Sequence, residues 1–118
     1  MSDATSSPKA VVQAYVTGTR TRDVALLKEI FHDSAMMSGW LGPDLLAGGP
    51  EPFYGALEAN EVGADYTAEI TDLTEMEQIA TATLEEQNLL GLSFTNLFHM
   101  VRQPDGTWRI TSKLFRHS

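Results

Sequence analysis

Apolar residues recur at helical spacing early in the chain and at twofold spacing in its second half. Val11, Val12, Tyr15 and Val16 share one face of a predicted helix that starts at Ser7–Pro8. Ser7 can cap it, and Pro8 suits the first turn because its missing N–H would be unpaired there anyway. A second helix over 22–31 carries Val24, Leu27 and Phe31 on one stripe, with Leu26 and Ile30 alongside and Lys28 and Glu29 toward water. A short strand is predicted over 34–41, which leaves His32 and Asp33 at the junction between helix and strand. The Gly- and Pro-rich stretch 41–52 reads as loop, and a third helix over about 52–60 is weakened by Gly55.

From residue 64 the period becomes twofold. Tyr66, Ala68 and Ile70 share one side of a strand, and Ala80, Ala82 and Leu84 one side of the next. Leu90, Leu92, Phe94, Asn96, Phe98 and Met100 share a face of a longer strand. A Pro-Asp-Gly turn at 104–106 returns the chain into a strand with Trp108, Ile110 and Leu114 inward and Phe115 outward.

Helices followed by an antiparallel meander imply an α+β fold with the helices on one sheet face. A straight strand over 89–101 would reach on the order of 40 Å, too long to stay flat on so small a domain. Gly91 and Ser93 are its expected bends. A strongly curved sheet wrapped around a helix makes a cone with a hollow end, and the hollow is a candidate ligand pocket. The other face of the long strand, with Leu89, Leu97 and Val101 among Ser93, Thr95 and His99, is half apolar. A second copy of the chain is the simplest cover for it, so a homodimer through the outer sheet face is expected. Residues 1–6 read as a loose tail and 7–118 as one domain.

Composition narrows the function. The formal net charge is −8; every Lys and Arg lies within 9–28 or 102–116, and the span from Asp33 to Glu86 holds twelve acids and no Lys or Arg. That sign argues against nucleic acid and against an anionic membrane surface as partners. No apolar run is long enough to span a bilayer, and the polar start does not resemble an export signal. With no cysteine, thiolate chemistry, disulfides and cysteine-ligated zinc are excluded, and a cytoplasmic location is expected. The three histidines have no spacing that would gather a metal, and no phosphate-cradling loop or nucleophile motif is present, so neither metal nor cofactor is expected.

Three stretches, "VVQAYVTGTRTRDVALLKEIFHDSAMM", "FTNLF" and "DGTWRITSKLF", resemble the cone-shaped nuclear transport factor 2-like superfamily over about residues 8–117. Within it the chain most resembles the bacterial SnoaL-like and putative lumazine-binding proteins, and more distantly the ketosteroid isomerases. The resemblance implies a cystatin-like cone, with a strongly curved antiparallel sheet wrapped around the N-terminal helices, a pocket between sheet and helices, and a homodimer. It implies little chemistry, because this fold hosts enzymes and binders alike. In the isomerases the tyrosine matching Tyr15 steadies a developing oxyanion, and a protonated aspartate near the position of Asn96 donates a second hydrogen bond. Asn96 can donate one from its amide. The isomerases' general base falls near Ser38, Gly39 or Trp40, none of which can abstract a proton at neutral pH. Asp44 and Glu51 on the loop are the substitutes.

Tyr15, Asn96, His32 and Asp33 are therefore the candidate catalytic residues. For the last two, a turn at a helix C-terminus is the competing structural role. Trp40, Met37, Phe53, Tyr54, Phe94, Phe98 and Met100, with Met36 beside them, are the candidate pocket lining. Three readings stay open: a pocket for a small apolar or aromatic molecule; a small isomerase, dehydratase or cyclase; and an interaction module with a filled cone.

Overall fold

Ser7 caps the first helix as its position demands, accepting from the Ala10 N–H at 3.1 Å, and α1 runs Pro8–Thr21. It stops where Arg22 enters the left-handed region at φ 58°. Asp23 then caps α2, Val24–Ile30, through the Leu26 N–H at 3.1 Å. Arg22 also donates to the carbonyls of Leu57 at 2.7 Å and Glu58 at 3.1 Å. These sit in the last turn of α3, Glu51–Ala59, so one cation satisfies carbonyls that a helix end leaves open. The computed structural model describes residues 3–117. Residues 3–5, expected as part of a loose tail, form a 3₁₀ turn with Thr5 buried; residues 1 and 2 lie outside the described span.

Among the described residues six strands form a curved, unclosed sheet, with α3 inserted between the second and third: β1 Phe31–Leu41, β2 Asp44–Gly48, β3 Thr67–Met76, β4 Ile79–Leu89, β5 Leu92–Arg102 and β6 Trp108–His117. Their order is β2-β1-β6-β5-β4-β3. The β3–β6 meander is antiparallel as its alternation predicts, while β1 joins β6 in parallel. The helices pack on the concave face, where Val11, Tyr15, Leu27, Ile30, Phe98 and Ile110 form the core.

The structure corrects the sequence reading in four places. The stretch 41–52 is not all loop: Asp44–Gly48 pairs back on β1 as a hairpin strand. The long strand does not start at Leu89: Leu89 pairs with Leu92 across Leu90 (φ 53°) and Gly91 (φ 81°), so Gly91 turns a hairpin instead of bending a strand. His32 and Asp33 lie inside β1, in an irregular stretch where residues 32–35 bulge opposite Thr111. Thr111 is itself the extra residue of β6, since Met100 faces Ile110 and His99 faces Ser112. One extra residue inverts the side-chain phase of the rest of the strand. Trp108 and Ile110 point inward as expected, but beyond the bulge Lys113 is buried, Phe115 is half-buried, and Leu114 is 48% exposed.

Candidate functional site

Two features share the concave side: a buried polar cluster and, beside it, an apolar cavity. The cluster centres on Glu86, which continues the inward series Ala80, Ala82 and Leu84 of β4 and is fully buried. A carboxylate there needs donors, because leaving it bare would cost several kcal/mol. Three are supplied. The Tyr66 hydroxyl donates to Oε2 at 2.6 Å, the Asn96 amide to Oε1 at 2.7 Å, and the Tyr15 hydroxyl to Oε1 at 3.4 Å. Asn96 also donates to the Leu84 carbonyl at 3.3 Å. Burial, then the charge of Glu86, pushes both phenols well above their usual pKa.

The cavity has a volume of about 350 Å³. Met37 and Leu41 of β1, Leu46 of β2, and Pro52, Phe53 and Ala56 of α3 form one side. The Leu89–Leu92 turn, Phe94 and Phe115 form the other. Among the described residues lining it, Lys113 alone is charged. Its Nζ lies 4.2 Å from the Phe53 ring centre, 4.9 Å from Tyr15 and 5.5 Å from Phe115. An ammonium over ring faces gains cation–π attraction that partly replaces lost water. Burial nevertheless pulls its pKa down to about 8, against the Glu86 carboxylate, which favours the cation. Lys113 and Phe53 thus border the cavity and touch Tyr15, joining the two features.

Of the residues singled out in the sequence, Tyr15 and Asn96 do meet, but on Glu86 and inside the core; neither lines the cavity. Met37, Phe53 and Phe94 line it. Phe98 and Met100 are buried in the core and do not line it, and Tyr54 packs its ring against Phe31 at 6.3 Å. Trp40 falls in the opposite phase of β1 and is 49% exposed, as is Met36 at 50%. His32 accepts from the Ser34 N–H at 3.0 Å, which closes the bulge of β1, and Asp33 is exposed. Asp44 and Glu51 open β2 and α3 and do not line the cavity. Glu86 and Lys113 were missed. The twofold series of β4 contained the signal for Glu86; Lys113 had none, because its phase depends on the bulge at Thr111.

Among the described residues, no group of three or more His, Asp or Glu is placed to hold a metal ion, and no helix is long and apolar enough to cross a membrane.

Residues 3–116 match the family model described as putative lumazine-binding. No curated protein matches the chain in sequence. The fold is shared with solved structures of low identity. An NTF2-like protein of unknown function from Shewanella baltica superposes with a TM-score of 0.83 at 19% identity, over 92% of this chain and 88% of that one. One from Silicibacter pomeroyi gives 0.83 at 25% identity, over 93% and 92%. A ketosteroid isomerase-like protein from Erwinia carotovora atroseptica gives 0.71 at 17% identity, over 99% and 98%.

Proposed function

The chain belongs to the putative lumazine-binding family of NTF2-like proteins, and from that starting point we propose that it is a dimeric binder of a small, flat, apolar or aromatic molecule bearing one electron-rich polar group. The observation that carries this reading is the pairing of an apolar cavity of about 350 Å³ with Lys113, the one charged side chain on its wall among the described residues. Pockets of this size, mostly greasy with one polar landmark, suit a ligand held by burial and oriented by one contact. A carboxylate, enolate or carbonyl oxygen of the ligand takes the Lys113 N–H donors, which no described residue accepts. The family description supports the same ligand class, since lumazine is a planar heterocycle. The isomerase-like alternative is less well supported, because Tyr15 and Asn96 spend their donors on Glu86 and do not border the cavity.

The dimer rests on the convex sheet face. There Leu97, 43% exposed, stands directly opposite Leu114 in the β5–β6 register, with Met36 and Trp40 exposed on β1. A second copy covers these residues without touching the concave side.

Calorimetric titration with 2-naphthoate and its neutral analogue 2-methylnaphthalene tests the ligand reading. Both bind, the carboxylate more tightly, and Lys113→Met removes the preference. Ala56→Trp, which fills the cavity from α3, abolishes both. If neither compound binds, or if Ala56→Trp changes nothing, the cavity is not the ligand site.

A further inference from the structure

We propose that Lys113 captures the carbonyl carbon of small apolar or aromatic aldehydes and ketones as an imine inside the cavity. This deepens the pocket reading above and rests on it. Three observations point the same way. Lys113 Nζ borders the cavity, while among the described residues it makes no hydrogen bond or ion pair that would tie up its lone pair or hold its proton. The ring faces of Phe53, Tyr15 and Phe115 surround it on the protein side, so the cavity is its open direction. The other two lysines of the chain, Lys9 and Lys28, are exposed on α1 and α2, Lys28 with its Nζ 5.7 Å from the Tyr54 ring centre, and neither lines the cavity.

The chemistry balances without a co-reactant. The amine lone pair forms the Nζ–C bond while the C=O π pair moves to oxygen. Two protons leave nitrogen and depart with that oxygen as water, giving Lys–N=C. Protonated, the imine is a cation on the same nitrogen, so the three rings that face the ammonium face the product as well. The apolar lining disfavours water and therefore the reverse hydrolysis. Desolvation of the amine, which brings its pKa to about 8, supplies a usable share of the nucleophilic neutral form near neutral pH. The Glu86 carboxylate is the charged group that opposes this by favouring the cation, and it is held by Tyr15, Tyr66 and Asn96.

The test is reductive trapping on the full chain. The protein is mixed with 2-naphthaldehyde and sodium cyanoborohydride at pH 7, which fixes the imine as a secondary amine, and the modified lysine is located by peptide mass spectrometry. Lys113 is expected to label at least about tenfold faster than Lys9 or Lys28, as its larger neutral fraction requires. An excess of 2-naphthoate is expected to suppress that label. Lys113→Arg, which keeps the charge, is expected to bind 2-naphthoate without being trapped at this position. Equal labelling of all three lysines, or none at Lys113 while 2-naphthoate still binds, overturns the imine and leaves the pocket standing. Absence of both trapping and naphthoate binding removes the imine and the pocket reading together.

Discussion

A single carboxylate decides how much of the concave face is structural. Glu86 accepts from Tyr66, Asn96 and Tyr15, so removing it takes the acceptor from both buried phenols and leaves the Asn96 amide only its 3.3 Å bond to the Leu84 carbonyl. Glu86→Leu is expected to lower the unfolding free energy by about 3–5 kcal/mol in urea titrations. Tyr66→Phe, losing a 2.6 Å bond to a charge, is expected to cost about 1.5–3 kcal/mol, and Tyr15→Phe less, since its bond is 3.4 Å. A larger loss in Tyr15→Phe than in Tyr66→Phe would contradict this ordering. Lys113 makes a separate prediction in pH. Its folded pKa, about 8, lies below the ordinary 10.5, so between those values the unfolded chain binds the extra proton and stability rises with pH. The full displacement corresponds to about 3 kcal/mol. Above about pH 10 the raised phenols of Tyr15, Tyr54 and Tyr66 act in the opposite sense, because the unfolded chain then loses protons first. The stability difference between wild type and Lys113→Met should therefore climb from pH 8 to 10; a flat difference would show that Lys113 is not desolvated.

At the scale of elements, two glycines separate backbone cost from steric cost. Gly91 turns the β4–β5 hairpin at φ 81° with open space around a would-be Cβ, so Gly91→Ala should cost only the left-handed backbone, about 1–2 kcal/mol. At Gly39 a Cβ would stand 1.9 Å from the Phe115 carbonyl oxygen, where β1 pairs with β6. Backbone cannot swing aside, so Gly39→Ala should cost more than Gly91→Ala, and thermal unfolding of the two variants ranks them directly. These contacts also mark where the sequence stopped being readable. The Ser7 cap and the Pro8 start are local chemistry and fell where predicted, and α2, Val24–Ile30, lies within its predicted span of 22–31, with Asp23 capping it instead of opening it. The α+β order and the inward faces of β4 and β5 follow from period alone. β2 escaped because Leu45, Leu46 and Ala47 are all exposed and show no alternation, so its pairing comes from β1 instead of burial. Lys113 escaped because Thr111 carries no mark of a bulge; the extra residue is set by the neighbouring strands. The charge on the cavity wall was therefore illegible, while Tyr15 and Asn96 were legible as inward residues but not as partners of Glu86.

For the whole molecule, the two sheet faces have different tasks, and the proposed dimer depends on the convex one. Its centre joins Leu97 to Leu114 across β5 and β6, flanked by Ser112, His99 and Thr83. Each copy carries a formal charge of −8, so association works against repulsion that salt screens over a Debye length of roughly 10 Å at 0.1 M. Dimerisation should accordingly tighten as salt rises, whereas an interface built on ion pairs would loosen. In an isologous interface every substitution occurs twice, so Leu97→Glu places two buried carboxylates near the axis. It is expected to weaken the dimer by about 2–4 kcal/mol, as loss of a central anchor does, and Leu114→Glu should do the same. Because the concave cavity is lined from the opposite face of the sheet, both variants should still bind 2-naphthoate in calorimetry. Sedimentation equilibrium at two salt concentrations reads the association directly. A wild-type chain that stays monomeric at both, or a Leu97→Glu chain that stays dimeric, would assign the apolar convex face to some other partner.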